Sequence, residues 1–101
     1  MKLYKYTILK DDGTKQVLAP RSKMDLEELQ GMVGGLIEIV PTDYYVKQGW
    51  NPKCTVYINK EGRFDSNNKR NPHFNVLHDN EGNPWDIVGV ALREEVYHEK
   101  L

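Results

Sequence analysis

The sequence predicts an α+β domain: a mostly antiparallel sheet of about five strands, carrying one main helix and one short helix. Three observations predict it. Short runs rich in β-branched and aromatic residues, bounded by Gly, Pro, Asn and Asp, read as strands. One run, LEELQGMV, has its apolar residues at helical spacing. The elements interleave as β-β-α-β-β-α-β, with no internal repeat or linker, and 101 residues fit one domain. A chain of this size buries roughly two thirds of its unfolded surface, so one modest core is expected.

The first strand is LYKYTIL at 3–9, and Asp12-Gly13 suits the tight turn of a hairpin. KQVLA at 15–19 returns, and Pro20 ends it because proline cannot donate to a ladder. Ser22 and Asp25 form a capping-box-like pair, with Ser22 as the expected cap. Leu26, Leu29 and Val33 then share one helical face, and Glu27 and Glu28 fall on the other. Gly34 stands where a helix C-cap needs a left-handed residue, and Gly35 allows a second bend or close packing on the sheet. The double glycine is thus a helix-to-strand corner leading into LIEIV at 36–40. It is a poor phosphate loop, because such loops precede a helix.

Residues 41–53 form a long connection holding Tyr44, Tyr45 and Trp50. CTVYIN at 54–59 is a strand with Cys54, Val56 and Ile58 on one face and Thr55, Tyr57 and Asn59 on the other. Asn71-Pro72 reads as the N-cap and first residue of a short helix, HFNVLHD, burying Phe74 and Leu77. DIVGVALR at 86–93 is the last strand. The domain is expected to span 1–93, with 94–101 a charged tail free to fray.

LEELQGMVGGLIEIV, VYINKEGRF, Asn71 and DIVGVALR together resemble a small domain of unknown function found mainly in phage and mobile-element proteins of bacteria. Its pattern reads L-x-x-L-Q-x-x-V-G-G-x-I-E, then N-x-E-G, a loop Asn and I-V-G. It falls here on Leu26, Leu29, Gln30, Val33, Gly34, Gly35, Ile37, Glu38, Asn59, Glu61, Gly62, Asn71, Val88 and Gly89. Lys60 stands where that family usually has a second acid. The resemblance brings no catalytic residues. It implies a phage-type accessory role in the cytoplasm of a bacterial host, with counter-defence one form of it, by sequestering a nucleotide-derived signal or by blocking a host protein.

Composition excludes some classes. Net charge is −1 and hydrophobic residues are 39%. That is too apolar for disorder and too balanced for a dedicated duplex-DNA binder. The charge is uneven: residues 1–23 hold six Lys/Arg against two Asp. No run of ~18 apolar residues predicts a membrane helix. The opening MKLYKYTILKDDG lacks a signal peptide's apolar core, and the one cysteine cannot form an internal disulfide, so a reducing cytosol is expected.

Two candidate sites follow. Arg63, Lys69, Arg70, Asn71 and Phe74, joined by Gln30, Glu38 and Asn59, suit a nucleotide-like ligand: arginine forks onto phosphate, rings stack on bases, and amides and carboxylates read hydroxyls and base edges. The same residues suit turns, caps and a solvated loop, the commoner roles of these residue types. Tyr44, Tyr45 and Trp50, with Tyr4 and Tyr6 on one face of the first strand, suit a protein partner or simply cover the sheet. His73, His78 and His98 lack metal-ligand spacing, Cys54 has no acid-His pattern, and neither serine sits in a nucleophile motif. No enzyme, cofactor or metal is expected. Open sheet edges allow a homodimer.

Overall fold

In a computed structural model, residues 2–41, 53–65, 67–74, 77–78 and 84–97 are described. The first hairpin forms as its turn chemistry requires: β1 (Leu3–Leu9) pairs antiparallel with β2 (Lys15–Val17). Between them Asp12 Oδ1 accepts from the Thr14 amide at 2.8 Å and hydroxyl at 2.6 Å. These bonds hold the exposed Asp12 carboxyl below its usual range.

Helix α1 (Leu26–Val33) is capped by Asp25, not by Ser22: Asp25 Oδ1 accepts the Glu28 amide at 2.9 Å. Both residues can cap, and the later one lies directly before the helical run. Leu29 and Val33 are buried, but Leu26, at the first turn, stays exposed. The helix stops where expected. Gly34 is left-handed (φ 86°, ψ 17°), and the amides of Gly34 and Gly35 both reach the Gln30 carbonyl.

Past that corner run β3 (Ile37–Ile39) and β4 (Thr55–Asn59). A single 3₁₀ turn, Gly62–Phe64, follows. The expected short helix does not form. Asn71 caps as predicted, its Oδ1 accepting the His73 amide at 3.0 Å, but Phe74 N–H closes a turn onto the Asn71 carbonyl instead. Leu77–His78 (β5) then pairs with Pro84–Trp85 (β6) in a two-stranded sheet. The last strand also shifts. Val88 makes only an isolated bridge to Arg70, the chain kinks at Gly89 (φ 84°), and β7 runs Ala91–Tyr97, through residues expected to be tail.

The main sheet is antiparallel throughout, in the order β2-β1-β7-β4-β3. Register sets Tyr6 against Glu94, Thr55 against Glu94 and Tyr57 against Leu92. Both faces of the sheet are covered. On the helix side Tyr6, Met24, Leu29, Val33, Tyr57 and Leu92 pack together. On the other side Leu9, Val40, Cys54, Val56, Ile58, Phe74, Ile87 and Ala91 do so. Burial pushes the Cys54 thiol up, which suits an inert core residue.

The second core is closed by Asn71, which is fully buried. Its Nδ2 donates to the carbonyls of Leu9 (2.8 Å) and Gly89 (2.9 Å). Asn71→Ala would strand two buried carbonyls, a loss on the order of 2–4 kcal/mol. Urea unfolding is expected to show a lower midpoint at an unchanged slope, the product of shift and slope giving that loss.

Candidate functional site

The loop over 63–74 is expected to present a basic and aromatic surface; in the structure Asn71 and Phe74 are buried and Arg70 is paired. Phe74 is in the core. Asn71 has all its amide atoms engaged by backbone. Arg70 donates through Nη2 to the Phe74 carbonyl at 2.8 Å and pairs through Nε with Asp86 at 3.2 Å, which fastens the loop to the start of the last segment. Lys69 is exposed, and its amide donates to Asp11 Oδ2. His73 Nε2 lies 2.9 Å from the Thr14 carbonyl oxygen. Arg63 sits in the 3₁₀ turn. Tyr44, Tyr45, Trp50 and His98 lie outside the described residues. Of the two strand tyrosines, Tyr6 is buried and Tyr4 half-buried.

The motif residues around the double glycine do converge. Asn59, at the end of β4, lies against the corner: a Cβ on Gly35 would meet Asn59 Nδ2 at 3.0 Å. Asn59 Oδ1 accepts the Glu61 amide at 2.9 Å, turning the chain into the 3₁₀ element. Asn68 Nδ2 donates to the Gly62 carbonyl at 2.8 Å and holds that turn in place. The result is a groove of about 460 Å³ lined by Gly34, Gly35, Leu36, Asn59, Glu61, Phe64 and Asp65. Phe64 is 77% exposed and Leu36 56%. The charged residues lining it, Glu61 and Asp65, are both carboxylates. Gln30 contributes its carbonyl to the corner behind the groove, and Glu38 stands next door on β3. Sequence reasoning names Asn59 as a binding residue but not Leu36 or Asp65. Neither has a pattern that marks it, since only the fold brings them together.

A second polar cluster lies on the helix face, around Glu94. This residue is 6% exposed. Tyr6 Oη donates to Glu94 Oε2 at 2.7 Å, and Tyr57 Oη to Oε1 at 3.2 Å. Lys23 Nζ closes the mouth at 2.9 and 3.1 Å and lies 5.3 Å over the Tyr4 ring. Tyr6 Oη also accepts the Met24 amide at 2.8 Å. Burial, then the Glu94 hydrogen bond, push the Tyr6 hydroxyl up to about 12. Tyr57 is raised by burial first and then by the Glu94 charge. For Lys23, burial opposes the charged form, but hydrogen bonding and attraction to Glu94 more than offset it, so its ammonium is held above the usual lysine range. Both Glu94 oxygens and both tyrosine hydroxyls are bonded within the cluster, so it works as a lock between β1, β4, β7 and the segment before the helix. Val96 and Tyr97, β-formers beyond the charged pair Glu94-Glu95, are the sequence signal that the strand continues and carries Glu94 inside. Among the described residues no three of His, Cys, Asp and Glu gather closely enough to hold a metal ion, and no helix is long and apolar enough to cross a membrane.

The Tyr6 shift has a defined pH signature. A raised folded-state value stabilises fully below the unfolded value of 10.0 and is lost as pH rises through about 12. From Tyr6 alone, unfolding free energy is therefore expected to fall between pH 10 and 12 by on the order of 2–3 kcal/mol. Tyr6→Phe should start less stable and lose the Tyr6 share of that slope, leaving the share of the likewise raised Tyr57 and Lys23, read by urea melts across the range. Comparison of the chain with protein-family models, with curated proteins and with solved structures found no match.

Proposed function

We propose that this chain is a non-enzymatic binding module that holds a segment of a partner protein in the groove between the Gly34–Gly35 corner and the Phe64 turn. The observation that carries the reading is the pairing of exposed apolar groups, Phe64 and Leu36, with the carboxylates of Glu61 and Asp65 around one open groove. An aromatic anchor beside acids suits a peptide carrying apolar and basic side chains. The resemblance to phage and mobile-element domains makes a bacterial host protein the natural partner.

A nucleotide-derived signal is the competing occupant. The exposed Phe64 ring can stack on a base. Its phosphates, however, would meet Glu61 and Asp65, while Arg70 is already paired with Asp86. The two readings separate in two experiments on the purified protein. Selection from a displayed random-peptide library is expected to enrich apolar-basic sequences. Phe64→Ala should weaken binding of the enriched peptides tenfold or more, on the order of 1.4 kcal/mol. Native mass spectrometry against a panel of cyclic and ADP-ribose-type nucleotides is expected to show the unliganded mass. A stoichiometric nucleotide adduct, or peptides that bind Phe64→Ala as well as the parent, would overturn the reading.

A further inference from the structure

Strand β3 forms one edge of the main sheet. Its inner side is fixed by the Val40 amide reaching the Val56 carbonyl at 2.9 Å and the Lys60 amide reaching the Leu36 carbonyl at 2.8 Å. Residues 36, 38 and 40 therefore face β4, with Glu38 opposite Ile58. In an antiparallel ladder the residues between them turn their N–H and C=O groups the other way. Among the described residues, nothing pairs with the outward groups of Ile37 and Ile39. This edge, open among the described residues, starts at Leu36, a residue that lines the groove.

Side chains on the edge divide by face. Ile37 lies with the helix-side core, and Ile39 on that same face is 54% exposed. Glu38 is half-buried on the opposite face and makes no ion pair among the described residues. A strand added at this edge would hydrogen-bond to Ile37 and Ile39. Its middle residue would then stand opposite Glu38 in a non-hydrogen-bonded pair, where side chains come closest. A second copy of β3 is a poor addition: the two-fold register that uses all three residues sets Glu38 against Glu38. Centring it on Ile39 instead sets Ile37 against Pro41, which has no N–H to give. The charge that guards the edge against its own kind selects for the opposite charge.

We infer that the partner segment is an extended strand of pattern apolar–basic–apolar, which adds to the β3 edge with its basic residue on Glu38 and one end in the Phe64 groove. This deepens the proposed binding role and rests on it. Main-chain bonds would supply affinity and the alternate side chains specificity, as in other strand-addition complexes.

The test uses fluorescein-labelled seven-residue peptides with a Val-Lys-Val or a Val-Glu-Val centre, read by fluorescence polarisation on the full chain. The lysine peptide is expected to bind at least tenfold tighter than the glutamate peptide. Glu38→Lys should reverse the order, and Glu38→Gln, which keeps the shape, should level it. Methylating the peptide's two flanking backbone amides should abolish binding. Circular dichroism confirms that each variant is folded. Equal binding of the two peptides, or an unchanged preference in Glu38→Lys, would overturn the edge assignment. If such charge-blind binding still falls with Phe64→Ala, the groove reading stands alone. If neither peptide binds, or the protein runs as a dimer that excludes them, the edge proposal fails; library peptides lost with Phe64→Ala would still support the groove.

Discussion

A carboxylate buried on the central strand constrains most of what surrounds it. Glu94 lies on β7, between β1 and β4, where an unpaired charge would cost several kcal/mol. Its oxygens are satisfied by one hydroxyl from each neighbouring strand and by Lys23 from the segment before the helix. Replacing any one donor leaves the carboxylate under-bonded, so the three elements are held to a common geometry. The Met24 amide, fixed on Tyr6, sets the chain one residue short of the Asp25 cap. From there the length of α1 determines where Gly34 turns, and so where the groove and the β3 edge begin.

The opposite face is held differently. Asn71 has no charge, and its amide joins backbone from β1, the 67–74 loop and the bend at Gly89. Phe74 fills the core just beyond. The polar residues that resemble a binding set thus serve two ends. Asn71 is structural glue, whereas Asn59 and Glu61 shape an open concavity. One residue type in one family-like pattern divides between interior and surface because the two loops approach the sheet from different sides.

The sequence made legible what local chemistry decides. Asp12-Gly13, Gly34 and the alternation through 54–59 each encode a turn or a face within a few residues, and all three appear as read. The failures have non-local causes. Helix propensity after Asn71 loses to the pairing of Leu77–His78 with Pro84–Trp85 further along the chain. The strand expected over 86–93 is displaced by the left-handed bend at Gly89, whose geometry a glycine permits but does not announce. Glu94 reads as solvent-facing because its partners, Tyr6, Lys23 and Tyr57, are scattered along the chain. The groove was half legible: the glycine corner and Asn59 were marked, but the exposure of Leu36 and Phe64 was not.

The central position of β7 also has a consequence for vectorial synthesis. The β1–β2 hairpin touches the β3–β4 hairpin in this sheet only through β7, which comes after both of them in chain order. Until Tyr97 has cleared the ribosome, the nascent chain holds two separate hairpins, and a pair of strands is at best marginally stable alone. Joining Leu3 to Tyr97 closes a loop over the full sequence span of the sheet, so contact order is high and the joining step is slow. Both flanks of the missing strand stay open in the meantime, a window in which a holdase chaperone would find two unpaired edges to shield.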